Sequence, residues 1–182
     1  MDRKQYVVVY APAKTGRMPM VLKNKPDFLK GVLNLPGGKL EEGESSLEAA
    51  ARELKEETGI IPWAVPVLLG KITGNHSDIH VVRIEVKEQP LAPAEGETEE
   101  FSWQDIREVY QHPNLMPNLR LAVPLCLSGA QGWNIYDWSG DWRGLWHTIS
   151  LQLDPVGGHT VEVRVPGMNY YRKDPCTTQV IS

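Results

Sequence analysis

Short apolar runs, separated by polar segments that contain Gly or Pro, predict a chain built mainly of strands. The run over 6–10 is continuous and rich in valine, which is typical of a buried strand. Further strands are predicted over 18–23, 31–35, 65–73 and 79–86. The last two flank the turn-like segment 74–78 and are expected to pair as a hairpin. Residues 118–127 are predicted to form a closing helix, which Pro124 should kink or end early.

Residues 45–59 are predicted to form one well-capped helix. Ser45 and Glu48, three residues later, make a capping box. Gly59 is placed to end the helix in the left-handed conformation. On a helical wheel, one apolar stripe contains Leu47, Ala50, Ala51, Leu54 and Thr58. Lys55 is expected to point toward this apolar stripe.

Three carboxylates occupy an arc of the same helix next to the apolar stripe. With Leu47 at zero, Glu53, Glu56 and Glu57 lie at about 240°, 180° and 280°. Like charges so close repel each other, and only Arg52 lies near the arc. Two interpretations follow: a solvated acidic surface, or a site for a hard cation such as Mg²⁺, which takes oxygen ligands and bridges carboxylates to phosphates. Glu44, just before the helix, could join or support such a site.

The spacing of these residues within 38–60, called the box below, matches a known motif. Its fixed positions are Gly38, Glu44, Arg52-Glu53-Leu54, Glu56-Glu57 and Gly59-Ile60, with five, seven, one and one residues between them. The chain therefore resembles the Nudix hydrolases, whose box carries these residues in this frame. A capped helix within the motif and Pro36-Gly37 before it are the local context that the motif requires.

The resemblance implies a fold, an activity and a set of site residues. Nudix enzymes hydrolyse a nucleoside diphosphate linked to another group, with water attacking a phosphorus and Mg²⁺ or Mn²⁺ as cofactor. By position, Glu53, Glu56 and Glu57 are the metal ligands, and Arg52 orients a glutamate. A carbonyl of Gly37 or Gly38 completes the metal shell. The implied fold is α/β, an α/β/α sandwich with a mixed β-sheet, over residues 1–129.

Several residues outside the box helix are further site candidates. The family often supplies another glutamate just before a strand that ends near a tryptophan; Glu100 is the first choice for this metal ligand or general base, and Glu97 the second. Lys39 and Phe28 are candidates for substrate binding, although Phe28 could equally pack in the fold. Lys23 and Lys25 could touch substrate phosphates, but we expect them to face solvent. His76 and His80 could bind a metal, but without a third local ligand we expect them to be ordinary turn and strand residues. The resemblance also implies a short helix that begins near Asp105.

The substrate is suggested by the family resemblance alone. The ADP-ribose subgroup typically carries a proline past the box, and the dinucleoside-polyphosphate subgroup a tyrosine; the corresponding segment 75–77 has neither. We therefore expect a nucleoside or deoxynucleoside triphosphate, hydrolysed to the monophosphate and pyrophosphate. The alternatives are ADP-ribose or another nucleotide sugar, and a non-catalytic nucleotide sensor or interaction module.

Charge and composition limit the kinds of partner that the chain is expected to bind. The net charge of −4, without a basic stripe, argues against duplex nucleic acid as a partner. Two cysteines without a CxxC pair suggest a reducing compartment, and no signal peptide or membrane-spanning run is visible, so a cytoplasmic location is expected. The expected partner is a small nucleotide, with no membrane; a homodimer is compatible with the sequence.

Residues 130–182 form a Trp-rich extension that the resemblance does not cover. Four of the six tryptophans lie here, and Trp138, Trp142 and Trp146 recur at helical spacing interrupted by glycines. The tryptophans could stack on a nucleobase, but covering the first domain is favoured. The alternating segments 148–153 and 160–165 predict a β-hairpin. An isolated hairpin is marginal in water, so we expect it to pack on the first domain or on a second subunit.

Overall fold

The computed structural model describes residues 3–137, 146–152 and 160–166. The strands are β1 Lys4–Tyr10, β2 Arg17–Leu22, β3 Leu33–Asn34, β4 Val67–Gly74, β5 Ser77–Arg83, β6 Glu100–Asp105, β7 Trp133–Asp137, β8 Trp146–Gln152 and β9 Thr160–Pro166. The helices are α1 Ser46–Thr58, α2 Ile106–Val109 and α3 Leu119–Ser128, with a 3-10 helix at Asp27–Leu29. Every predicted strand is present with shifted ends, and α3 continues through Pro124 as one helix.

The strands form two sheets. The larger has the order β1-β5-β4-β7-β8-β9, and the smaller has the order β3-β2-β6. Strand β5 pairs parallel with β1 and antiparallel with β4, while β4 pairs parallel with β7. The larger sheet is therefore mixed, and the predicted α/β fold with a mixed sheet is confirmed.

Apolar side chains form two clusters, each with its own helix. Ala49, Ala50 and Leu54 of α1 pack with apolar residues of β1 and β5, including Val7 and Val82. The other cluster combines α3 with residues of both sheets. Helix α1 is thus fixed against β1, and it is this packing that sets the position of the box carboxylates.

Both caps of α1 are as predicted, but the set of residues on its buried side differs from the predicted apolar stripe. The Ser45 hydroxyl accepts from the Glu48 amide, the Glu48 carboxylate accepts from the Ser45 amide, and Gly59 is left-handed at φ 73°. Leu47 is 36% exposed and Lys55 is exposed, so neither lies on the buried side as expected. The buried arc instead includes Glu57, whose carboxylate accepts a hydrogen bond from the Gly37 amide that offsets its desolvation.

The chain beyond residue 129 adds strands to the larger sheet. Strand β7 pairs with β4, and Trp133 is 1% exposed within the cluster that contains α3. Strands β8 and β9 pair antiparallel, which confirms the predicted hairpin. Trp138 and Trp142 lie outside the described residues, whereas Trp146 begins β8. The alternation of buried Trp133, Ile135 and Asp137 was a strand signal that the sequence prediction missed.

Two further expectations concern helices and cysteines. Within the described residues, no helix has the length and hydropathy needed to cross a bilayer. Cys126 is buried as a free thiol in α3, and burial raises its pKa to about 12. Cys176 lies outside the described residues.

Candidate active site

The loop before α1 approaches β1 so closely that only glycine fits at position 37, and at position 38 a side chain would displace the Glu53 carboxylate of α1. A Cβ on Gly37, whose φ is 151°, would lie 2.1 Å from the Val7 carbonyl oxygen. A Cβ on Gly38 would lie 2.2 Å from a carboxylate oxygen of Glu53. Hydrogen bonds from the Val7 amide to the Gly38 carbonyl and from the Val9 amide to the Pro36 carbonyl hold the loop on β1. The loop therefore brings bare backbone against the Glu53 carboxylate.

Arg52 joins three glutamates of the box. Its Nε and Nη2 donate to the two oxygens of Glu44, each at 2.9 Å. Its Nη1 donates to Glu53 at 2.9 Å and to Glu56 at 3.1 Å. The Glu44 bonds raise the pKa of Arg52, and the same bonds hold the pKa of Glu44 below its usual range. The planar guanidinium thus orients several carboxylates at once, which a lysine cannot do.

Glu57 and Glu53 are the carboxylates withdrawn from solvent. Glu57 is 6% exposed and accepts from the Gly37 amide at 2.7 Å. Burial raises the pKa of Glu57 to about 8; Lys23 and the Gly37 bond oppose the rise, and Glu53 and Glu99 add to it. Burial also raises the pKa of Glu53. These shifts mean that negative charge in the site is incompletely balanced, which favours a bound cation.

A further buried glutamate, Glu99, lies beside this cluster, next to the predicted Glu100; the role expected of Glu100 or Glu97 stays a prediction. Glu100 is exposed, whereas Glu99 is 8% exposed and acts electrostatically on Glu57. The Glu97 carboxylate instead accepts from the Thr98 and Glu99 amides and shapes the turn before β6. Glu99 shares the face of the half-buried Phe101 and Trp103, and this alternation was a signal available in the sequence.

Lys23 does not face solvent as expected. Its Nζ lies 2.6 Å from a carboxylate oxygen of Glu99, and its side chain is 16% exposed. Lys25 is exposed, in line with the prediction. The Lys23 ammonium therefore belongs to the carboxylate cluster as the ion-pair partner of Glu99.

The two candidate substrate contacts and the candidate glycine ligand have different surroundings. The Lys39 side chain is exposed, and only its carbonyl oxygen reaches Arg52. Phe28 is 54% exposed on the 3-10 helix, so it does not pack in the core. The Gly38 carbonyl already accepts from Val7, which leaves it one lone pair. The roles of these three residues remain predictions.

The donor chemistry fits a hard divalent cation. All candidate ligands are carboxylate or carbonyl oxygens, and the Glu53 carboxylate lies directly against the Gly38 backbone, where a Cβ would meet it at 2.2 Å. Among the residues that the structure describes, no three His, Cys, Asp or Glu side chains converge into a preformed metal cage. A cation here would therefore take further oxygens from water and substrate, as Mg²⁺ commonly does.

Comparison with known proteins agrees with this geometry. A family model described as the NUDIX domain matches residues 3–126. ADP-ribose pyrophosphatase of Methanocaldococcus jannaschii is 45% identical over 67 residues, which are 36% of this chain and 39% of that protein. The chain thus spans about two fifths of the length of this curated relative.

Solved structures share the fold at low sequence identity. The MutT protein of Bacillus halodurans is 21% identical, covers 74% of this chain and 89% of its own, and has a TM-score of 0.58. The NUDIX domain of Shewanella oneidensis NrtR, solved in complex with ADP ribose, is 18% identical, with 71% and 89% coverage and a TM-score of 0.61. The family model, which covers most of the chain, and the intact box on a capped helix lead to one conclusion: the chain belongs to the Nudix domain family.

Proposed function

We propose that the chain hydrolyses the pyrophosphate linkage of a nucleoside diphosphate derivative with Mg²⁺ or Mn²⁺ as cofactor. The observation that carries this proposal is the fork of hydrogen bonds by which Arg52 joins Glu44, Glu53 and Glu56, beside the buried Glu57 that accepts from the Gly37 amide of the glycine loop. A binding module without catalysis would not need so many carboxylates in one partly desolvated cluster. Glu53, Glu56 and Glu57 would hold the cation, with Gly38 or Gly37 as a backbone donor.

The residues of the chain would contribute in distinct ways. When bound, the metal would neutralise phosphate charge and lower the pKa of a water molecule. Arg52 positions Glu53 and Glu56 through its fork of hydrogen bonds. Glu57 and Glu99 are buried carboxylates suited to accept the proton of the attacking water. The burial of Glu99 supports giving it the role that the sequence suggested for Glu100.

ADP-ribose, or a similar nucleoside diphosphate sugar, is the first substrate to test. The curated relative with 45% identity over its matched part is named an ADP-ribose pyrophosphatase, and this supports the choice over a nucleoside triphosphate. The triphosphate was expected only because segment 75–77 has neither the proline nor the tyrosine of the other two subgroups. It stays in the test as the second substrate class.

The test is product analysis with the full chain and Mg²⁺. ADP-ribose should yield AMP and ribose 5-phosphate, whereas a deoxynucleoside triphosphate would yield the monophosphate and pyrophosphate. Chromatography of both reactions at equal enzyme and substrate concentration ranks the two classes. A higher kcat/KM for the triphosphate would reverse our choice of substrate, but the proposed hydrolysis of a pyrophosphate linkage would still hold.

Two matched variants test the metal site itself. Glu57→Gln keeps the acceptor for the Gly37 amide but removes the charge, and it should lower kcat by at least about 100-fold. Glu42→Gln, an exposed loop position of the box, should leave turnover unchanged. Full activity of Glu57→Gln would refute the site. Tight ADP-ribose binding by calorimetry, with no turnover of any nucleotide, would favour a sensor.

A further inference from the structure

The Lys23–Glu99 pair is a salt bridge inside the carboxylate cluster. The Glu99 side chain is 2% exposed, and the Lys23 side chain is 16% exposed. The other oxygen of Glu99 faces the Asn24 amide at 3.4 Å, which is a weak hydrogen bond. The ammonium of Lys23 is therefore the main group that compensates the buried Glu99 charge.

The backbone around Lys23 fixes where this ammonium sits. The Lys23 amide donates to the Val32 carbonyl at 2.9 Å, and the Lys23 carbonyl accepts from the Gly31 amide at 2.6 Å. Both bonds tie the end of β2 to the segment that leads into the glycine loop. The side chain is thus directed into the cluster rather than along the surface.

Lys23 acts on more than its direct partner. Its positive charge also acts on the Glu57 carboxylate, on which the charges of Glu53 and Glu99 act as well. In this part of the cluster, a lysine ammonium therefore compensates the charge of the buried Glu99 carboxylate, as a metal ion could do. A divalent cation bound among the same oxygens would be repelled by that ammonium.

On the basis of the function proposed above, we propose that Lys23 is a resident counter-ion of Glu99 that competes with the divalent cation for the negative charge of this cluster. Without metal, the Lys23 ammonium is paired with the buried Glu99 carboxylate. When a cation enters, the ammonium must give up part of its contact with Glu99. A phosphate group of the substrate is the anion available to take that ammonium, so cation and substrate would enter the site together.

The competition predicts an effect opposite to that of a simple site residue. Lys23→Met removes the charge on an unbranched side chain of similar length, and it should tighten Mn²⁺ binding to the nucleotide-free chain. We expect about tenfold tighter binding, the order of magnitude that Coulomb's law gives for a unit charge about 6 Å from a divalent ion in water. Mn²⁺ alone is the probe, with its affinity measured by calorimetry or by the electron paramagnetic resonance of free Mn²⁺.

Three further variants test whether a change in Mn²⁺ affinity comes from the competition or from another cause. Lys30→Met removes the same net charge from an exposed position in the same segment, and it should change the Mn²⁺ affinity much less. Lys23→Arg keeps the charge and should bind Mn²⁺ like the parent chain. Lys23→Gln is neutral yet can donate to Glu99, so it supplies the measurement if Lys23→Met does not fold by circular dichroism.

The outcomes are distinguishable from failure of the proposed function. If the parent chain binds Mn²⁺ and the Glu57→Gln variant does not, the assigned metal site is supported. If both neutral Lys23 variants then bind Mn²⁺ as weakly as the parent chain, or more weakly, the proposed competition is wrong. If the parent chain binds no Mn²⁺ and turns over no nucleotide, the metal site itself is wrong. Tighter binding in the neutral variants, but not in Lys30→Met or Lys23→Arg, is the supporting result.

Discussion

The indole ring of Trp133 lies directly on the backbone of Gly70, the two residues facing each other across the β4–β7 pair. A Cβ built on Gly70 would lie 2.3 Å from the ring, closer than any side chain could pack. Trp133 lies outside the part of the chain that matches the family model, and Gly70 lies within it. The extension is thus joined to the core at a position where only glycine fits.

The first prediction concerns this contact. Gly70→Ala should lower the free energy of unfolding by about 1–3 kcal/mol, because the added methyl group displaces the buried indole. Gly74→Ala on the same strand is the matched control, since its new methyl would meet nothing closer than 3.6 Å. Urea denaturation of both variants gives the comparison. Equal effects at the two positions would show that the ring has room to move.

The second prediction concerns the division of the chain at residue 129. A chain of residues 1–129 lacks Trp133 and Ile135, both buried in the main apolar cluster, and leaves β4 without its β7 partner. We therefore expect it to be less stable than the full chain by several kcal/mol, since truncating a buried aromatic alone costs about 3–5 kcal/mol. A chain ending at Asp137, which keeps β7, should recover most of this loss. If residues 1–129 unfold at the same urea concentration as the full chain, the extension is an appendage.

The box and its helix could be predicted from the sequence because their information is local. The capping box, the left-handed Gly59 and the carboxylate arc depend on residues only a few positions apart, where helical geometry leaves little freedom. The orientation of α1 was harder to predict. Its buried arc turned toward Glu57 because the Gly37 amide, 20 positions away, supplies a partner for that carboxylate.

The rest of the site depends on contacts between distant segments. Lys23 and Glu99 are 76 positions apart, and they meet because β2 and β6 pair antiparallel with Leu22 opposite Glu100. That register turns Glu100 outward and Glu99 inward, since neighbouring strand residues face opposite sides. A single sequence shows neither the pairing nor the register. The sequence does show aromatic residues at alternate positions, Phe101 and Trp103, and this spacing puts Glu99, rather than Glu100, on their face of the strand.

The third prediction concerns the pH dependence of metal-free stability. The pKa of Glu57 rises from its ordinary 4.5 to about 8, mainly through burial. Between these values the folded chain holds a proton that the unfolded chain has lost, so this residue makes the free energy of unfolding fall as pH increases. The Glu57→Gln variant has no ionisable group at this position, so it does not lose stability in this way as pH increases. In a chelator, it should exceed the parent in stability at pH 8 by up to about 4 kcal/mol, at about 1.4 kcal/mol per pKa unit.

Urea denaturation across this pH range, with Glu42→Gln as the exposed control, measures the difference. Other groups titrate in both chains, so the informative quantity is the gap between the parent and Glu57→Gln. The gap should be small near pH 4.5 and widen up to pH 8. Parallel curves for the two chains would mean that Glu57 ionises at its ordinary pKa and is not desolvated in solution.

The last prediction concerns the fork of hydrogen bonds at Arg52. Arg52→Lys keeps the positive charge but cannot contact both oxygens of Glu44 while also reaching Glu53 and Glu56. Because these bonds orient the proposed metal ligands, kcat and Mn²⁺ affinity should each fall by about 10- to 100-fold. Arg107→Lys, the same change at an exposed position of α2, should leave both unchanged. If Arg52→Lys retained full turnover and full Mn²⁺ affinity, charge alone would suffice, and the planar geometry of the guanidinium would have no role in arranging the carboxylates.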